Sequence, residues 1–246
     1  MYICYKLIDK YCFMRHFAFL MLFWLSFSAF SQQNVPIDSL YRPDPYYLED
    51  QIYFSISYIV LRNLPERLKQ NGFSNSIKFG YVRDIPINEQ RNFGFALGVG
   101  YGHDAYFQNL RISIDEVTGK VIYNILENKN FQRNSFSVSK IDIPFEIRWR
   151  GSTPTQYKFW RLYTGIMTSY VFDSSSNFEN NKVDVIYKDI QFVNTWQFGF
   201  TASVGYNTWN FNFYYGLSNI IKEGIEVEGI DIKMKEMRFG VIYYFL

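Results

Sequence analysis

From residue 51 onward, apolar and polar positions alternate with a period of two almost without interruption. That is the pattern of strands with two faces in different environments. Eight segments carry it, at 51–61, 74–83, 91–103, 134–149, 159–172, 192–206, 209–218 and 234–246. In the third, Phe93, Phe95, Leu97, Val99 and Tyr101 share one face, and Gly94, Ala96, Gly98, Gly100 and Gly102 share the other. A half-buried strand of a soluble sheet would set charged or long polar side chains opposite its apolar row. A face nearly bare of side chain suits the crowded lumen of a narrow barrel, with the apolar row turned to lipid.

The fourth segment keeps the period and changes the hidden chemistry. Ile141, Ile143, Phe145, Ile147 and Trp149 alternate with Lys140, Asp142, Pro144, Glu146, Arg148 and Arg150. Ions concealed inside a small barrel have to be paired, because an isolated buried charge is very costly. Asp142, Glu146, Arg148 and Arg150 are therefore expected to point inward and to pair. Arg161 in the fifth segment and Arg238 in the eighth are the candidate partners. This charge network is expected to fill the lumen and not to form a transport path. The sixth and seventh segments again pair an aromatic row with a small or polar one, and only Asn207-Thr208 separates them, a tight hairpin.

Each segment is near or above the roughly 9–11 residues that a tilted membrane strand needs. The connections alternate between short (84–90, 150–158, 207–208) and long (62–73, 104–133, 173–191, 219–233). Short turns on one side and long loops on the other is the outer-membrane arrangement. The expectation is an all-β fold: an eight-stranded antiparallel transmembrane barrel in the cell outer membrane, spanning 51–246. The short turns and both termini would be periplasmic. The long loops, including the Asp115–Lys120 turn, would lie outside.

The one long apolar helix candidate stands at the N-terminus. Arg15 precedes Phe17–Phe27, an apolar run broken only by Ser26, and Ser28-Ala29-Phe30-Ser31-Gln32 follows. This reads as a secretory signal at 1–31, cleaved after Ser31, with Met14 or Met1 as the start. A single membrane anchor is the competing reading, but the apolar run is short for a span of about 20 residues. Residues 32–50, with Pro36, Pro43 and Pro45, read as a periplasmic lead-in.

Composition agrees with strands better than with membrane helices. Aromatic residues make up 21% of the chain, yet mean hydropathy is −0.16. Both cysteines, Cys4 and Cys12, fall in the leader, so the mature chain has no disulfide, zinc–cysteine site or thiol nucleophile. Lys6, Lys10, Arg15 and Asp9 leave with it, three of 25 basic and one of 23 acidic residues, and the mature chain is neutral. Nothing there predicts nucleic-acid binding.

Little chemistry remains. A Ser–His–acid hydrolase would have to be built on His103, beside Asp104, with no serine motif around it. His103 is expected to be an interfacial polar residue. The glycines of Gly98–Gly102 lie within a strand and precede no helix, so they do not read as a phosphate loop. The expected protein is non-enzymatic, without cofactor, metal or small-molecule substrate, and its evident partner is outer-membrane lipid.

Several stretches carry a family resemblance. Asp38-Ser39-Leu40-Tyr41-Arg42, Gly80-Tyr81-Val82-Arg83-Asp84-Ile85-Pro86-Ile87-Asn88, Tyr106-Phe107-Gln108-Asn109-Leu110 and Ile141-Asp142-Ile143-Pro144-Phe145-Glu146 together resemble the PorT (SprT) outer-membrane proteins of the Bacteroidota. The Arg-Asp-Ile-Pro-Ile-Asn turn and Tyr-Phe-Gln-Asn-Leu are the more specific pieces. The resemblance implies a barrel required for type IX protein secretion, linked in some members to gliding motility, with other secretion-system proteins as partners. A generic small barrel serving envelope integrity or adhesion through its loops is the alternative, and a solute channel ranks third. The final strand, Phe239–Leu246, resembles the assembly signal of bacterial barrels, except that Leu246 and not an aromatic comes last.

If the protein serves a secretion machine, its contacts are expected on the periplasmic side. The turn Arg83-Asp84-Ile85-Pro86-Ile87, continuing to Arg91, sets opposite charges around apolar residues. Pro86 stiffens it by fixing its own φ and restricting Ile85. This is the candidate docking turn.

Overall fold

The structure is a computed structural model and describes residues 49–115, 117–127, 131–151, 159–188 and 192–245. The signal segment and residues 32–48 of the lead-in lie outside the described residues. Thirteen strands are present and no helix occurs among the described residues. They are β1 (Glu49–Arg62), β2 (Asn75–Pro86), β3 (Phe93–Phe107), β4 (Leu110–Ile114), β5 (Val121–Ile125), β6 (Arg133–Arg150), β7 (Trp160–Glu179), β8 (Asp184–Lys188), β9 (Trp196–Tyr206), β10 (Trp209–Gly216), β11 (Glu226–Val227), β12 (Ile230–Asp231) and β13 (Lys235–Phe245).

Eight of these close a barrel. Each pairs antiparallel with its sequence neighbour in the wall, in the order β1, β2, β3, β6, β7, β9, β10, β13, and β13 returns to β1. The stagger follows from the register. From Phe93 the ladder runs to Trp149, Leu162, Val204, Phe211, Val241, Ile56 and Ile77, and returns to β3 at His103, ten residues along. Ten residues of stagger over eight strands require a tilt of about 40° from strand rise and spacing. Alternation then decides every side chain's environment. The odd-numbered row from Phe93 to Val99 faces out and is exposed, as is Ile141–Trp149, while Gly94, Ala96, Lys140, Asp142, Glu146 and Arg148 face in.

The outer surface is an apolar band with aromatic rows at both ends. Trp160 and Tyr206 meet at 5.7 Å and Trp209 and Tyr243 at 4.8 Å near the short turns. Tyr170 and Trp196, at 5.0 Å, and Tyr101 and Phe172, at 6.2 Å, do so near the long loops. Such girdles mark the two interfaces of a membrane barrel.

Several strand boundaries differ from the sequence reading: β2 runs on to Pro86 and β3 to Phe107, and two further differences have a clear cause. β7 runs on to Glu179 and pairs with β8, where the polar run Asp173–Asn177 erases the apolar alternation although the backbone stays extended. The sixth barrel strand starts at Trp196, because Phe192 and Val193 turn away into the loops, where Val193 bridges Ile221. The long loops are themselves folded. The β4–β5 hairpin turns at Asp115, whose Oδ1 accepts the Val117 N–H at 2.8 Å, and Gly119 takes a φ of 66° there. Ile59, Tyr106, Leu110, Ile112, Phe136, Phe192, Ile221 and Met234 are among the residues of a buried apolar cluster at this end of the barrel.

Candidate functional site

Beneath that apolar cap the lumen is packed with charge in two layers. The ionised residues of the layer nearer the long loops come from β2, β3, β6 and β13. Lys78 Nζ pairs with Asp142, and Ser169 Oγ donates to the other Asp142 oxygen at 2.5 Å. Lys140 pairs with Asp104 and lies 3.7 Å from Glu236. Arg238 reaches Asp104 and Glu236, both at 3.3 Å, and its guanidinium stacks 3.7 Å over the Tyr214 ring. Tyr106 ties the layer to the cap: its ring stacks on Phe136 at 4.5 Å and its hydroxyl donates to Glu236 at 2.7 Å.

The second layer lies toward the short turns and centres on Arg148. Its Nε donates to Glu146 at 2.9 Å and its Nη1 to Gln51 at 2.8 Å, with Asp84 at 3.5 Å. The guanidinium sits between aromatic rings, 4.4 Å from Tyr163 and 5.4 Å from Tyr244. Arg150 Nη2 lies 3.2 Å from Asp84. Arg161 donates Nη1 to Tyr163 OH at 3.3 Å. Between the layers is a cavity of about 30 Å³ lined by Tyr53, Lys78, Glu146, Met167, Tyr214 and Arg238 among others. That is room for roughly two water molecules.

Asp142, Glu146, Arg148 and Arg150 thus share the lumen, but the two candidate partners do not meet them as expected. Arg238 binds Asp104 and Glu236. Arg161 stands opposite Arg150 in the ladder and faces no carboxylate among the described residues. The partners the sequence reading passed over are Lys78, Asp84, Asp104, Glu236 and Gln51. Parity offered a signal for two: Lys78 alternates with Ile77 and Phe79, and Glu236 shares a face with Arg238.

The docking turn needs a correction. Asp84 is fully buried in the lumen against Arg148 and Arg150 and presents nothing on the turn. The reason is that β2 continues to Pro86, so alternation sends Asp84 inward and Arg83 and Ile85 outward. Arg83 lies 3.7 Å from Asp50 on the exposed face, Ile85 and Ile87 are exposed, and Arg91 closes the turn at a φ of 55°, its N–H donating to Asn88 O at 2.9 Å. The same alternation separates His103 from Asp104. His103 Nδ1 lies 3.2 Å from Ser139 Oγ on the outer face while Asp104 points into the lumen. Among the described residues no group of His, Cys, Asp and Glu could hold a metal ion.

Comparison with known proteins gives a family. Residues 30–222 match the family described as outer membrane protein beta-barrel domain. No curated protein sequence matches. Similar solved structures include Ail, the attachment invasion locus protein of Yersinia pestis, in complex with the heparin analogue sucrose octasulfate, at 13% identity and a TM-score of 0.31 over 80% of this chain and 99% of that one. They also include Ail in a phospholipid bilayer nanodisc, at 12% identity and a TM-score of 0.32 over 80% and 100% of the two chains. With the family match spanning most of its length, and eight antiparallel strands closing a charge-filled lumen behind an apolar outer band, the chain belongs to the outer membrane protein β-barrel domain family.

Proposed function

We propose that this barrel is a non-enzymatic component of protein secretion, of the type IX kind, and that it acts through its rims and not through its bore. The observation that carries the second half is the filled lumen. Two ion-paired layers and an apolar cap occupy it, and the cavity between the layers holds only about two waters. A barrel whose lumen is occupied in this way among the described residues works as a membrane-embedded scaffold. The secretion reading rests on the resemblance of the Arg83–Asn88 and Tyr106–Leu110 stretches to the PorT family. Short turns and both barrel ends on one rim favour a periplasmic orientation for that rim. The test is deletion of the gene. Secreted cargo should accumulate in the periplasm while resistance to detergents and bile salts is unchanged.

Adhesion or envelope support through the outer loops is the second reading, favoured by the folded cap with its β4–β5 hairpin and the β7–β8 extension. Under it, replacing residues 110–125 with a short linker would abolish surface binding and leave secretion normal.

A further inference from the structure

Arg161 stands apart from the other lumen guanidiniums. Arg148, Arg150 and Arg238 each lie within ion-pair distance of a carboxylate. Arg161, 1% exposed, has none among the described residues, and the Phe159 ring covers one side of it at 4.8 Å. Its Nη1 is used by Tyr163, while Nε and Nη2 have no hydrogen-bond partner among the described residues. Those two N–H groups are parallel and lie on one edge of the guanidinium, the edge that an oxyanion grips with both oxygens. Around the wall the ladder runs from Arg161 to Gly205 and on to Asn210. Asn210 is 2% exposed, and its Nδ2 and Oδ1 are both unpartnered among the described residues. Gly205 leaves the space between them without a side chain, and the Asn210 amide leans over it, where an added Cβ would collide with Oδ1.

A buried cation with a free two-donor edge beside a free amide is a site lacking its counter-charge. We propose that the short-turn mouth of the barrel binds one carboxylate, held side-on by Arg161 with Asn210 as the flanking polar group. A carboxylate fits better than a doubly charged phosphate. Among the described residues Arg161 is the unmatched cation at this mouth, since neighbouring Arg150 already faces Asp84 at 3.2 Å, and a second negative charge would be buried without a partner. Arg161 is the second residue of β7, so the ligand arrives from the short-turn rim and not through the filled lumen. The carboxylate is either a free small acid or an acidic side chain of a polypeptide docking on that rim.

The experiment uses the mature barrel folded in an uncharged detergent with chloride as the sole anion and with ¹⁵N-labelled arginine. The Arg161 Nε–H resonance is identified by its loss in Arg161→Lys. Formate should move that resonance downfield to saturation and raise the unfolding temperature by several degrees. Arg161→Met should fold and lose the temperature response. A short Asp-containing peptide that moves the resonance at far lower concentration than formate would assign the polypeptide source, and formate acting better than the peptide would assign the free acid. A resonance that ignores formate, or that chloride moves equally at matched ionic strength (an adventitious ion only), overturns the proposal.

Discussion

Arg238 on β13 places its Nη1 3.3 Å from Asp104 Oδ2 on β3, with β1 and β2 standing between them in the wall. The contact therefore crosses the lumen and joins parts of the wall that share no backbone hydrogen bond. Asp104 also pairs with Lys140 of β6, so one carboxylate serves two cations from two strands. Both cations and the carboxylate are buried. Asp104→Ala would leave two buried charges short of their partner and should cost about 3–5 kcal/mol. Urea unfolding of the barrel in detergent measures it. Glu228→Ala, which breaks the exposed pair with Arg67 at 2.8 Å, should cost at most about 1 kcal/mol. Equal midpoints for the two variants would show that the lumen pairs do not hold the wall together.

Packing around Arg238 makes a second prediction. Gly199 on β9 lies beneath the Tyr214 ring, and a Cβ there would overlap ring atoms outright. Gly199→Ala must displace Tyr214 and with it the Arg238 stack, at a cost of roughly 1–3 kcal/mol. Tyr214→Leu removes the obstruction. The double variant should then be less destabilised than the sum of the two singles, and a thermodynamic cycle reads the coupling. Simple additivity would mean that the ring is not what the glycine accommodates.

How far the sequence reached can be judged residue by residue. Period-two alternation placed all eight barrel strands, because in a membrane barrel each wall residue meets either lipid or lumen. It lost the upper part of β7, where Asp173–Asn177 stands clear of the apolar band and both faces are polar. It also claimed Phe192 and Val193 for a strand when they belong to the cap, since an apolar residue looks the same facing lipid or a loop core. Parity along one strand says which side chains share the lumen. Which charges meet depends on the stagger of ten residues around the wall, and no single strand encodes that. Asp104 and Arg238 could be matched only after the barrel was closed.

The filled lumen bears directly on transport. Lys78, Lys140 and Arg238 with their carboxylates form one barrier, and Arg148 with Asp84 and Glu146 forms another. An eight-stranded wall encloses only enough space for such side chains. Purified protein in a planar bilayer should show no large, steady conductance at any holding potential. Porin-like openings would move the channel reading to first place and would require the charge layers to part.

Arg83 and Asp84 are neighbours in the chain with opposite positions in the barrel, and that separates two tests that a combined variant would confuse. Asp84 is a lumen anion facing Arg148 and Arg150, so Asp84→Ala should weaken the barrel by about 3–5 kcal/mol, and under the proposed secretion role it would lower cargo release only by lowering the amount of folded protein. Arg83 and Ile87 are exposed on the short-turn side, where the Arg83 side chain lies 3.7 Å from Asp50. Replacing them as Arg83→Ala with Ile87→Ser should change stability by no more than about 0.5 kcal/mol each. If the turn docks a secretion partner, that double variant will assemble at normal levels, keep its resistance to heat in detergent, and release severalfold less cargo. Its effect must appear without loss of barrel, which is the opposite of the Asp84 result. Normal secretion from a fully assembled double variant would remove the turn from consideration and direct attention to the cap formed by the long loops.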